Sequence, residues 1–219
     1  MERNEMYTGL KEAMGLVLPY APAIDCGCGT GTRACIIKKF GRNSIVRVTA
    51  YDIDPGVEEA VQKNMQEQGV EFSFKVRDVL DLEFKPSSIT VISVGIVIYN
   101  PKPTVREFLK KAFKWLMPGG ILDVEFPTYE DGAHQSGFVE YACIPFEEEG
   151  SYIYCGSDPE PVSLGQNGGS FWNTEEVDNL VKNLGAVKII HNALCDFCQV
   201  VSSKERMYRS FYIVTAKKT

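Results

Sequence analysis

Between residues 23 and 32 the chain reads Ala23-Ile24-Asp25-Cys26-Gly27-Cys28-Gly29-Thr30-Gly31-Thr32, a short apolar run giving way to three glycines at alternate positions. Pro22 to Ile24 predicts a strand, and Thr32 onward a helix that starts at once. So tight a turn needs residues without a Cβ, and the bare backbone lets a ligand lie against the helix N-terminus. Twenty-one residues after Gly31, a second apolar run, Val46 to Tyr51, ends in Asp52. In a doubly wound sheet that is where a carboxylate meets the two hydroxyls of a ribose. A glycine turn followed at this distance by an acid at a strand end predicts a nucleoside cofactor on an α/β sheet.

The rest of the chain alternates in the same way, as a mostly parallel sheet covered on both faces requires. Glu5 to Leu18 carries Met6, Leu10, Met14 and Val17 at helical spacing. A helix from Thr32 to Phe40 is closed by Gly41, and Asp54-Pro55 supplies a cap and first-turn proline for a helix striped by Val57, Val61 and Met65. Glu71 to Val76 and the almost wholly apolar Ile89 to Ile98 are the third and fourth strands. Thr104 with Glu107 three residues on is a capping box for a helix through Leu116. Pro118-Gly119-Gly120 stops that helix and feeds a fifth strand, Ile121 to Phe126. Asn173 and Glu176 cap a last helix that ends at Gly185, before two strands at Val187 to Leu194 and Ser210 to Ala216.

The glycine spacing separates cofactor classes. A dinucleotide fingerprint is G-x-G-x-x-G, and here Thr32 and Arg33 stand where its third glycine would lie. No G-x-x-x-x-G-K-[ST] phosphate loop occurs. The D-x-G-x-G-x-G turn, the acid closing the next strand and Leu116-Met117-Pro118-Gly119-Gly120 ahead of the fifth strand together resemble the Rossmann-like (class I) S-adenosylmethionine-dependent methyltransferases. The resemblance runs along nearly the whole chain apart from residues 128–172. It implies an α/β, doubly wound, mostly parallel seven-stranded sheet with helices on both faces and an antiparallel last strand. It further implies one domain over residues 1–219, with S-adenosyl-L-methionine as cofactor.

Residues 128–172 differ in character, being rich in aromatic residues, Gly and Pro and carrying the acidic triplet Glu147-Glu148-Glu149. Phe138 to Phe146 and Ser151 to Cys155 can pair as a hairpin around Glu147 to Gly150. An insertion after the fifth strand sits at the carboxyl ends of the strands, where such sheets bind ligands. It is therefore expected to cover the substrate.

The resemblance assigns the cofactor to Asp25, Gly27, Cys28, Gly29, Gly31, Asp52, Ile53, Asp78, Val79 and Ser93. Asp25 would hold the amino end directly or through water, with a turn-bonding acid as its alternative. Asp52 would meet the ribose, two acceptor oxygens facing two donors. Ile53 would offer adenine an apolar face, and Asp78 would accept from the adenine amino group, with Asp81 as competitor. Tyr99 stands at the end of the fourth strand, either shaping the pocket or packing. The Asn/Asp-Pro-Pro-Tyr-like string that DNA and protein-amide N-methyltransferases carry there is replaced by Tyr99-Asn100-Pro101-Lys102.

Asp123 and Glu125 alternate on the fifth strand, so both face one side of the sheet. Unpaired charges on a central strand are costly, so one should reach a ligand or partner. Glu125, nearer the carboxyl end, is the candidate for binding a substrate amine or the cofactor's surroundings, and a salt bridge to a covering helix is the alternative for Asp123. His134 is the candidate general base and a solvated loop histidine otherwise. Cys195-x-x-Cys198 has metal-ligand spacing, and Cys143 and Cys155 would lie opposite each other in the hairpin. No second C-x-x-C accompanies it, buried thiols explain the same residues, and no metal is expected.

The chain has 219 residues, a net charge of −6 and no long Lys/Arg run. That balance argues against a nucleic-acid partner. No stretch has the length of a membrane span, and Met1 to Glu5 does not open a secretory signal. With seven cysteines, an odd number, reduced thiols and a cytoplasmic location are expected. The reading that follows is methyl transfer to a small-molecule acceptor. Its competitors are a protein or RNA methyltransferase and a catalytically silent cofactor-binding partner subunit, the oligomeric state being open.

Overall fold

The computed structural model describes residues 6–17, 22–41, 47–131, 143–146, 148–154, 169–200 and 206–219. Among these described residues, ten strands and five α-helices follow one another. They are α1 (Thr8–Met14), β1 (Ala23–Cys26), α2 (Thr32–Phe40), β2 (Val48–Asp52), α3 (Glu58–Gln68), β3 (Ser73–Val76), β4 (Ile89–Val94), α4 (Lys102–Trp115), β5 (Leu116–Pro127), β6 (Cys143–Phe146), β7 (Glu148–Tyr154), β8 (Gly169–Ser170), α5 (Thr174–Asn183), β9 (Val187–Val200) and β10 (Arg206–Lys218). Seven strands form one sheet in the order β3-β2-β1-β4-β5-β10-β9. The first five are parallel and β10 is antiparallel to both neighbours. This is the doubly wound sheet with an inverted late strand that the sequence predicts.

The pleat sorts the residues of the central strands into two layers. One face receives Ile24, Cys26, Ile92, Val94, Leu122, Val124 and Phe126, which pack beneath α4 and α5 on Phe108, Leu109, Val177 and Val181. The other face, beneath α1, α2 and α3, begins with Ala23, Val91 and Ile121 against Leu10, Ala34 and Ile37. Two residues further, the registered row is Asp25, Ser93, Asp123 and Thr215, all fully or almost fully buried. Two residues beyond that come Gly27, Gly95 and Glu125. The second face thus climbs from an apolar base through a polar layer to the crevice floor.

Several boundaries differ from expectation; β5, for one, begins at Leu116 rather than Ile121, so that Pro118-Gly119-Gly120 lies within the strand. The fourth strand stops at Val94, because Gly95 and Ile96 turn the chain into a 3-10 turn, Val97–Tyr99. The helix α4 starts at Lys102 rather than at the Thr104 capping box, with no side-chain cap from its own N-cap, Pro101. Pro103 in the first turn lacks only an N–H that has no helical partner, and the Lys102 N–H is met from far away by Ser151 Oγ at 2.8 Å. Glu107 pairs with Lys110 instead. β9 and β10 run well beyond the expected ends, pairing as far as Val200 and Arg206. By contrast, α2 spans the expected residues, and Asn173 with Glu176 forms the reciprocal capping box at α5.

β6 and β7 pair antiparallel, Ile144 opposite Ile153, and β8 joins them in a three-stranded sheet. That small sheet is tied to the end of β4. Ser170 Oγ donates to Val97 O at 3.1 Å, and Trp172 Nε1 donates to Ser170 Oγ at 2.9 Å. Lys102 is 1 % exposed beneath it, with Nζ 2.8 Å from Glu176 Oε1, 3.3 Å from Tyr129 OH and 5.0 Å from the Trp172 ring centre. No helix among the described residues is long and apolar enough to cross a membrane.

Candidate active site

A crevice of about 410 Å³ opens at the carboxyl ends of the parallel strands. Its lining follows the order of the sheet, from Asp78 and Asp52 beyond β3 and β2, through Gly27, Cys28 and Gly29 after β1, past Gly95, Ile96 and Tyr99 after β4, to Glu125 on β5 and Arg209 and Phe211 on β10.

The glycine turn is built for close approach. Gly27, Gly29 and Gly31 all have positive φ, +69°, +51° and +75°. A Cβ on Gly27 would collide with the Ile96 side chain, whereas one on Gly29 would meet nothing within 4 Å and would stand in the space a ligand would use. Gly31 corrects the sequence reading. It caps α2 in the left-handed region and its missing Cβ faces the Phe72 ring, so it shapes the turn without lining the crevice. Cys28 does line it, with its N–H donating to Tyr51 O at 3.0 Å and burial pushing the thiol well above its usual range.

Asp52 is locked to that turn. Oδ2 accepts from Gly29 N–H at 2.8 Å and Oδ1 from Asp54 N–H at 3.1 Å. Each oxygen keeps a lone pair, so the carboxylate can still face two ribose hydroxyls. Ile53 and Val79 line the crevice beside it. Asp78 does so too, its Oδ1 accepting from Leu80 N–H at 2.9 Å, whereas its competitor Asp81 stays outside. The residues present therefore fit an adenosyl group. A pair of acceptors, an apolar wall, a further carboxylate and a backbone cradle with room at Gly29 lie around one space.

Two expected cofactor contacts lie elsewhere. Asp25 is wholly buried and does not line the crevice. Its oxygens accept from Arg33 Nε at 3.2 Å and Ala34 N–H at 3.1 Å, so it bonds the turn and α2 rather than a ligand. Burial raises its pKa, and the adjacent guanidinium opposes that shift. Ser93 is also sealed, its Oγ donating to Asp123 Oδ2 at 3.4 Å. Both residues belong to the polar layer one step below the crevice floor, which is why neither reaches it.

Of the two fifth-strand acids it is Glu125, not Asp123, that makes the salt bridge to the covering helix. Asp123 accepts from Thr215 Oγ1 at 2.6 Å inside the sheet, and burial pushes its carboxyl up to about 7 against that hydrogen bond. Glu125 meets the covering helix, with Oε1 2.8 Å from Arg33 Nη1, and lines the crevice. Tyr99 lines it half-exposed, and burial of its hydroxyl raises its pKa. His134 lies outside the described residues, as do the side chains of Cys143, Cys155 and Cys198. Cys195 is buried. Among the described residues, no cluster of His, Cys, Asp and Glu could hold a metal ion.

Sequence reasoning missed Tyr7, Arg33, Arg209 and Phe211. Arg33 carried a signal, an arginine one residue into a helix and followed by the apolar run Ala34, Cys35, Ile36 and Ile37. Its Nη2 also donates to Gly27 O at 2.9 Å, and the Tyr7 hydroxyl lies within reach of its field. Arg209 donates through Nε to buried Asp131 at 2.9 Å and stacks on Phe211 at 4.9 Å. Nothing local to residue 209 announces this.

A family model described as a methyltransferase domain matches residues 23–120. The ribosomal protein L11 methyltransferases of Burkholderia multivorans and Burkholderia mallei are 30% and 32% identical over 104 and 105 residues. Each match takes in 48% of this chain and 31% of the relative, so the chain matches about a third of their length. A SAM-dependent methyltransferase from Methanosarcina mazei superposes with a TM-score of 0.65 at 17% identity over 93% of this chain and 95% of that one. One from Clostridium acetobutylicum superposes at 0.60 and 13% identity, over 100% and 92%. Those likenesses show the fold, and the family-model match takes in the glycine turn, Asp52 and Asp78. Residues 23–120 are thus similar to a methyltransferase domain, and the fold is the one those S-adenosylmethionine-dependent methyltransferases share.

Proposed function

We propose that this chain methylates a small-molecule acceptor held at the β5–β10 end of the crevice. The observation that carries the reading is the continuity of that space. The adenosyl-fitting residues and a set of acceptor-side groups, Tyr7, Tyr99, Glu125, Arg209 and Phe211, line one cavity of about 410 Å³. The cofactor supplies an electrophilic methyl group on a sulfonium, which leaves as a neutral thioether and needs no acid. What the protein contributes is alignment and dryness. Asp52, Asp78 and the glycine turn fix one partner, and the acceptor-side groups fix the other. Alignment of this kind lowers barriers by roughly 7–11 kcal/mol. The aromatic faces also favour a nearby cation before transfer.

Residues 128–172 serve in this reading as the cover of the acceptor. Their small sheet is pinned to the 3-10 turn that carries Tyr99, through Ser170 and Val97. Glu125 and Tyr99 are the groups assigned to the acceptor. A protein acceptor is the second reading, favoured by the name of the curated relatives, ribosomal protein L11 methyltransferase. Calorimetry with S-adenosylmethionine, S-adenosylhomocysteine and NADH tests the cofactor, and binding of NADH alone would defeat the proposal. Incubation with methyl-labelled S-adenosylmethionine separates the acceptor classes. Label entering a metabolite extract supports the first reading, and label confined to protein supports the second.

A further inference from the structure

Gly95 opens a passage across the end of β4. A Cβ there would collide with Arg33 Nη2, so only glycine lets the guanidinium cross from the β1 side of the floor to the β5 side. Having crossed, Arg33 stands between two carboxylates that are treated very differently. Asp25 receives Arg33 Nε and Ala34 N–H and is sealed from the crevice. Glu125 lines the crevice with its side chain 13 % exposed and has Arg33 Nη1 2.8 Å from Oε1. That contact is an ion pair without an aligned N–H. Oε1 is buried without a hydrogen bond, and none from the described residues reaches its companion oxygen. A carboxylate so far out of water normally gathers several donors.

The charges around it favour a particular donor. The crevice is lined by the carboxylates of Asp52, Asp54, Asp78 and Glu125 and by the guanidinium groups of Arg33 and Arg209. Each arginine is paired with a fully buried aspartate behind the wall, Asp25 or Asp131. The lining therefore presents net negative charge. Tyr7 and Tyr99 line the same space as Glu125, so aromatic rings stand around it, and aromatic rings favour a cation.

We propose that Glu125 binds the nitrogen of the methyl acceptor, so that the acceptor is an amine, with Arg33 as the positioning residue that fixes the carboxylate across Gly95. The inference rests on the methyltransferase reading above. An arriving ammonium gives one proton to Glu125, which passes it to water at the crevice mouth. The freed nitrogen lone pair forms the new N–C bond, and the electron pair of the broken C–S bond stays on sulfur. The N-methylammonium product keeps the positive charge that the sulfonium loses.

Sinefungin, which carries an amine where the sulfonium carries its methyl, reports on Glu125 without turnover. By calorimetry the wild-type protein should bind sinefungin at least tenfold more tightly than S-adenosylhomocysteine. Glu125→Gln should lower that ratio at least tenfold, and Glu125→Asp should retain part of it. With S-adenosylhomocysteine present, wild type should bind phenethylamine at least tenfold more tightly than 2-phenylethanol. A sinefungin ratio near one in the wild type, or no preference for phenethylamine, overturns the inference while leaving the methyltransferase reading intact. Failure of S-adenosylhomocysteine to bind at all overturns both. The wild-type measurements decide even if the variants fail to fold.

Discussion

At the β2–β1 end of the crevice the ligand-facing groups are largely backbone, a turn of positive-φ glycines braced by Asp52 through Gly29 N–H at 2.8 Å. At the β5–β10 end they are side chains drawn from both ends of the chain, with Tyr7 ahead of α1 facing the same space as Arg209 and Phe211 on β10. The first end is a local product, because a strand, a turn and a helix in immediate succession suffice to make it. The second exists only when the sheet is complete, and the Arg33 guanidinium joins the two. A shared cofactor end can thus persist while the acceptor end changes with a few distant residues.

The arginine bridge is where this contrast can be broken most severely. Arg33→Met leaves Asp25 buried without its counter-charge, and loss of one partner of such a pair costs about 3–5 kcal/mol. Urea denaturation should show that loss, and a variant as stable as wild type would mean the floor is not held by charge. At the cofactor end, Asp52→Ala should weaken S-adenosylhomocysteine binding by about 1.5–3 kcal/mol, roughly ten- to a hundredfold, in calorimetry. Unchanged affinity would remove Asp52 from the ribose.

Beneath the floor, Asp123 titrates at about 7 in the folded chain, above the ordinary value of 3.8. Between those values the unfolded chain has released a proton that the folded chain keeps, so the stability linked to Asp123 falls as pH rises through the window and levels off above it. Asn does not titrate. The stability of wild type relative to Asp123→Asn should therefore fall by more than about 1 kcal/mol from pH 4 to about pH 8 and level off above that. A pH-independent difference would contradict the buried layer. The smallest effect is expected of Tyr99→Phe, which keeps the ring at a half-exposed position. Thermal unfolding should shift by no more than about 0.5 kcal/mol, and S-adenosylhomocysteine binding by less than about twofold.

Particular residues show how far local pattern reaches. Helix α2 and the Asn173–Glu176 box form as their sequence dictates, since each is settled within a few residues by spacing and hydrogen-bonding chemistry, whereas Asp54 caps a 3-10 turn, Pro55–Val57, and α3 follows from Glu58 without a side-chain cap. Thr104 and Glu107 have the same chemistry and make no box, because Ser151 supplies the cap from another sheet two residues earlier. Asp25 and Glu125 look alike as acids on parallel strands. Only register puts Asp25 in the sealed row with Ser93 and Asp123, and Glu125 one row higher in the crevice.

The sequence alone determined the order of strands and helices, the glycine turn and the acids that mark a nucleoside site, because periodicity and turn chemistry act over short spans. The tertiary structure decided which acids see the ligand, how Arg33 crosses Gly95 and what faces the acceptor. Those depend on strand register and on contacts between segments far apart in sequence, where burial and charge pairing are settled only once the layers close.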